Sequence, residues 1–161
     1  MNKGIKLQDF ENTSFFSTRM KMELITQETL KARVKGYLLQ RKYNGCYTLL
    51  IIDDYGQAEV YNQNFAKVPN LKDAVMEGRN KLSAGYVYIC EAIVRDKETG
   101  KEDFEEASRS FNPNNNVKSN GNVKLVIFDR VTLQEFINGK SETKLLDRLV
   151  DLDDLHYNYE C

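Results

Sequence analysis

The sequence predicts an α+β fold, with a mostly antiparallel sheet and flanking helices. Segments of strand and helix pattern mix without the regular βαβ alternation of a parallel sheet. The strand-like runs are separated by short turn signals: Asn44-Gly45, "DDYG" (53–56) and the polar hairpin turn "RDKETGKED" (95–103). The 161 residues, 41% of them apolar, suffice for one domain with its own core.

Residues 1–22 are polar with scattered aromatics and read as an irregular lead-in. "ELITQETLKARV" (23–34) predicts a short helix, with Thr26 as cap and Leu30 and Val34 four apart on one face. Together they form an N-terminal lead-in over 1–34, and the domain proper runs over 35–161. "YNGCYTLLIID" (43–53) predicts a turn entering a strand, because its β-branched and aromatic side chains favour extended backbone. "QAEVYNQ" (57–63) is its hairpin partner across "DDYG".

"PNLKDAVMEGRNKL" (69–82) opens on proline and places Leu71, Val75 and Leu82 at helical spacing. "GYVYICEAIV" (85–94) predicts the next strand, and "DFEEASRSF" (103–111) a helix. "NPNNNVKSNGN" (112–122) has little to bury and reads as a loop. "VKLVIFDRV" (123–131) is a central-strand pattern. "SETKLLDRLVDLDDL" (141–155) predicts a helix capped by Ser141, with Leu145, Leu149 and Leu152 on one face.

Composition narrows the chemistry. A formal net charge of −1 gives no global basic field for nucleic acid, although Arg33, Lys35, Arg41 and Lys42 form a local cluster. Cys46, Cys90 and Cys161 are odd in number and lack metal-ligand spacing, which fits a reducing compartment. Cys46 and Cys90 lie in apolar runs and read as small core residues. His156 is the single histidine, so Ser-His, Cys-His and multi-His metal chemistry lack parts. The start has no apolar stretch of signal-peptide length and nothing spans a membrane, so the expectation is a cytoplasmic protein with no membrane partner.

Three residues stand out on chemical grounds. Lys42 precedes the Asn44-Gly45 turn at the mouth of an apolar strand, with Arg41 beside it. It reads either as a surface lysine on a hairpin or as an amine held for chemistry. Desolvation or a neighbouring cation makes a lysine nucleophilic by lowering its pKa. Glu91 lies inside "YVYICEAIV", and strand alternation puts it on one face with Ile89 and Ile93. That pattern suits a pocket lining as well as a wet face. Phe128 at a strand end reads as core or as a ring for stacking on a flat ligand.

In order along the chain, "KYNG" (42–45), "YICEAIV" (88–94), "VIFDRV" (126–131) and a leucine-rich helix with Arg148 resemble the adenylation domain of ATP-dependent DNA ligases, closest to the short phage-type enzymes. The resemblance covers roughly residues 35–155. It implies a partial ATP-grasp-like nucleotidyltransferase fold of the ligase type, and ATP and Mg²⁺ as cofactors. Lys42 would be the adenylated nucleophile. Gln40, Arg41, Asn44, Gly45, Glu91 and Phe128 would bind the nucleotide, with Gln40 at the adenine edge, Phe128 stacked on adenine, and Glu91 at the ribose or the metal. "EASRSFNPNNNVKSN" (106–120) is similar to the loop before the third motif, which would turn Arg109 toward DNA or nucleotide.

The sequence also departs from the family pattern. Asn44 stands for the usual aspartate, Tyr47 for an arginine, and Cys90 for a glycine. "VYNQNF" (60–65) lacks the usual Ser-Arg. The later lysine motifs and the oligonucleotide-binding-fold domain do not follow. The function implied is the N-terminal part of an enzyme that seals nicked double-stranded DNA in repair or replication, in the host cytoplasm if phage-encoded. A second polypeptide would supply the missing motifs. Alternatives are an RNA ligase, a non-catalytic ligase-like fragment that binds nucleotide or nucleic acid, and an unrelated α+β domain.

Overall fold

The computed structural model describes residues 4–10, 40–112 and 122–153. The predicted helix over 23–34, most of the polar loop over 112–122, Cys161 and the segment with His156 lie outside the described residues. The described part is α+β, with one four-stranded antiparallel sheet and flanking helices.

The elements in chain order are β1 (Cys46–Ile52), β2 (Ala58–Asn62), α1 (Lys72–Lys81), β3 (Tyr86–Val94), α2 (Phe104–Ser110), β4 (Val123–Thr132), α3 (Leu133–Ile137) and α4 (Leu145–Asp153). The strand order is β2-β1-β3-β4. Each strand coincides with a predicted run, and "DDYG" is the β1–β2 turn, where Asp53 Oδ1 accepts from the backbone N–H groups of Tyr55 at 2.9 Å and Gln57 at 2.8 Å. No described helix is long and apolar enough to cross a membrane.

The sheet is covered on both faces, which explains why "LLII" in β1 is buried without alternation. On the helical face, Leu50, Ile52, Tyr88, Cys90, Ala92 and Leu125 pack with Leu71 and Ala74 near α1, Ala107 of α2, and Leu149 and Leu152 of α4. On the opposite face Leu49, Ile51 and Val87 pack with Phe10, Tyr61 and Leu133. That second cluster covers one end of the face. At the other end Tyr47, Glu91, Lys124, Val126 and Phe128 remain partly exposed.

The register of β3 against β4 shifts between Ile89 and Cys90, which pair with Asp129 and Ile127. Phe128 is therefore the extra residue of a β-bulge and has no partner in β3. A bulge re-aims side chains. Here Phe128 leans toward Tyr47, Asp129 opposite Ile89 is held by Arg148 of α4, and on the helical side the Arg130 guanidinium lies over the Tyr86 ring at 4.5 Å.

Two elements depart from expectation. The last helix starts at Leu145, and the Arg148 N–H donates to the Lys144 carbonyl at 3.1 Å. Ser141 is not its cap, because its hydroxyl is drawn away to Glu135 Oε1 at 2.8 Å. The short helix α3 was not expected. At five residues it shows no periodicity, and only its capping box marks it: the Thr132 side chain accepts from the Glu135 N–H at 3.2 Å, and Glu135 Oε2 accepts from the Thr132 N–H at 3.0 Å. A 3₁₀ turn at Leu7–Phe10 likewise orders part of the lead-in, whose start is held to the β1–β2 hairpin by the Ile5 N–H donating to Asp54 Oδ2 at 2.6 Å.

Candidate active site

The segment 40–45 leads into β1 at the partly exposed end of the second face. Gly45 sets its position. A Cβ there would drive into the Ala92 carbonyl oxygen and stand 2.8 Å from Ile93 Cγ2. Only glycine lets the backbone approach β3 this closely. Two successive amides are then held by two carboxylates. The Gly45 N–H donates to Glu91 Oε1 at 3.2 Å, and the Asn44 N–H donates to Glu102 Oε2 at 2.7 Å. Glu102 Oε1 accepts from the Arg41 guanidinium at 2.7 Å, and that guanidinium also lies over the Tyr43 ring.

Lys42 sits between these fixed points with its side chain exposed. Its charge is felt at Glu91. Burial pushes the Glu91 carboxyl above its ordinary value, the Gly45 N–H and the Lys42 ammonium pull it back, and the charge of Glu102 adds to the rise. The Cys46 thiol is also raised, by burial and then by the Glu91 charge, which leaves it a poor nucleophile.

Phe128 and Tyr47 complete the face. Tyr47 is the cross-strand partner of Glu91, and its ring lies 6.5 Å from that of Phe128, tilted by 57°. The Phe128 carbonyl accepts from Gln40 Nε2 at 3.0 Å, so the residue two before Lys42 ties the loop to the bulge in β4. The structure thus brings Gln40, Arg41, Lys42, Asn44, Gly45, Glu91 and Phe128 to one end of one sheet face.

This arrangement can be compared with solved structures. The ligase structure Pmar-Lig_PreS3 superposes with a TM-score of 0.57 at 22% identity, over 70% of this chain and 25% of that one. Pmar-Lig_Pre. gives 0.56 at 20% identity, over 70% and 25%. An archaeal ATP-dependent RNA ligase, form 2, gives 0.45 at 15% identity, over 74% and 29%. No protein-family model matches the chain, and no curated protein does. The fold is a partial ligase nucleotidyltransferase fold. The chain spans about a quarter of the length of the Pmar-Lig structures.

Within this ligase-type fold Arg109 stands apart from the constellation. Its helix α2 packs Ala107 into the core on the helical face, whereas Glu91 points to the other face, and the Arg109 guanidinium pairs with Glu106 at 3.1 Å. Asp129, adjacent to Phe128, is held by Arg148 Nε at 2.8 Å and Nη2 at 2.7 Å, which makes it a structural anchor. Glu102 was missed by sequence reasoning. It sits in a polar turn like any solvated acid, and the Arg95–Glu102 bridge across that hairpin is what returns it to the loop of Lys42.

As for a metal, no group of three or more His, Cys, Asp or Glu side chains converges among the described residues. Magnesium needs fewer: one or two carboxylates, with substrate phosphates and water filling the rest. Glu91 fits that role, with one oxygen on the Gly45 N–H. Glu102 has both oxygens engaged by Arg41 and Asn44.

Proposed function

We propose that this chain is the lysine-adenylating, N-terminal part of an ATP-dependent DNA ligase-type nucleotidyltransferase. The observation that carries the reading is the mounting of Lys42: an exposed lysine two and three residues before the Asn44 and Gly45 amides, which Glu102 and Glu91 clamp, with its charge felt at Glu91 on the face of Tyr47 and Phe128. Such clamping removes orientational freedom from the nucleophile, a large part of what catalysis of group transfer requires.

In this reading the neutral ε-amine of Lys42 attacks the α-phosphorus of ATP. The Nζ–P bond forms and the bond from that phosphorus to the bridging oxygen breaks. The electron pair leaves with pyrophosphate, and the amine proton passes to water. Phe128 and Tyr47 give adenine an apolar surface, and Glu91 faces the ribose. A divalent cation held by Glu91 would neutralise phosphate charge. The AMP then passes to the 5′-phosphate of a nick, and the 3′-hydroxyl displaces it. The DNA preference rests on the resemblance of the Phe128-Asp129 strand to that family.

The test is intact-mass spectrometry after incubation with ATP and Mg²⁺, with Lys42→Ala alongside. The expected result is a gain of one AMP that is absent from the variant. An adduct that survives in Lys42→Ala would sink the assignment. So would no adduct with and without a polypeptide supplying the remaining parts of a ligase. Transfer to nicked DNA against nicked RNA separates the two ligase classes.

A further inference from the structure

The face that carries Glu91 and Phe128 holds another charged side chain, to which no role has been given. Val123, Leu125 and Ile127 of β4 pack into the core of the helical face. Lys124, Val126 and Phe128 therefore share the opposite face with Glu91. Lys124 is the cross-strand partner of Ile93, in the row next to the Glu91–Val126 pair. Gly45 abuts Ile93, so this row is level with the loop of Lys42.

Three rows thus follow one another along β3 and β4. The first holds the aromatic ring of Phe128, the second the carboxylate of Glu91, and the third Lys124 beside the Lys42 loop. At a strand rise of about 3.3 Å per residue, Phe128 and Lys124 are about 13 Å apart. That span is comparable to an extended nucleoside triphosphate from base to outer phosphates. Lys124 is only partly exposed, and among the described residues it has no ion-pair or hydrogen-bond partner. Arg41, by contrast, is already committed to Glu102. Lys124, partly buried beside Ile93 and Val126, thus offers an ammonium to an anionic ligand lying on this face.

We propose that Lys124 binds the phosphate chain of the nucleotide, with the base at Phe128, the sugar at Glu91 and the phosphates between Lys124 and Lys42. The inference rests on the reading above that a nucleotide occupies this face.

The experiment is calorimetric binding of ATP, adenosine and tripolyphosphate to the wild-type chain, Lys124→Gln and Lys124→Arg. A lost charge-assisted contact should weaken ATP and tripolyphosphate about 10- to 100-fold in Lys124→Gln, with adenosine unchanged and Lys124→Arg close to wild type. Equal ATP affinity in wild type and Lys124→Gln would overturn this inference and leave the nucleotide reading intact. So would a parallel loss for adenosine, the mark of a structural role. Wild-type protein that binds neither adenosine nor ATP would overturn both.

Discussion

At Gly45 the turn signal of Asn44-Gly45 has a different physical cause from the usual one. This glycine is not among those with positive φ. It is required because its α-carbon lies against the Ala92 carbonyl and Ile93. Gly45→Ala should therefore destabilise by about 1–3 kcal/mol through overpacking, and should displace the loop that carries Lys42. Urea unfolding checks the first effect. A variant within about 0.5 kcal/mol of wild type would mean that the loop yields freely. Lys42 and Glu91 could be picked from the sequence because each sets a charge against an apolar run, and Phe128 because it is an aromatic at a strand end. Glu102 could not, since its partners Arg41 and Asn44 are about sixty residues away in the chain.

Among the elements, β4 and α4 are joined by the Asp129–Arg148 pair. Its side chains are only 6% and 15% exposed, and both guanidinium–carboxylate bonds are short. Removing one partner leaves a buried charge unmatched. Asp129→Asn or Arg148→Met should each cost about 3–5 kcal/mol, and the double variant less than their sum. A denaturant double-mutant cycle measures this, and additive losses would show that the pair is not coupled. The bulge at Phe128 belongs to the same scale. "VKLVIFDRV" announces a strand, but the extra residue that sets Phe128 toward Tyr47 arises only from pairing with β3.

For the whole molecule, two carboxylates give opposite pH dependences. Burial tends to raise Glu135, but the Thr132 N–H and the hydroxyls of Ser141, Thr132 and Thr143 outweigh it and hold the group at about 2, against an ordinary 4.5. Its contribution to stability is present above pH 4.5 and lost as the pH falls toward 2. Glu91 is raised, chiefly by burial, so its contribution is present below pH 4.5 and lost as the pH rises through its folded value. Glu91→Gln keeps an acceptor for the Gly45 N–H and removes that loss. Relative to wild type, its melting temperature should climb between about pH 4 and pH 7, while nucleotide transfer falls. A difference that shrinks over this range would contradict the assigned direction. The cost of Glu91 is thus borne by the entire fold, and it buries the acid on the face proposed to take the nucleotide.

The amino-acid sequence by itself determined the α+β class, all four strands, α1, α2 and the body of α4, because alternation, helical spacing and turn residues are local properties. It also singled out Lys42, Glu91 and Phe128 as the residues on which chemistry would rest. Tertiary structure alone decided that Glu102 clamps the Lys42 loop, that Ser141 serves Glu135 and not the last helix, that Arg109 lies across the sheet from Glu91, and that Lys124 shares the face of Phe128. Each of these depends on strand register or on a hydrogen bond between distant segments. Register follows from how whole strands bury their side chains together, which no short window of sequence contains.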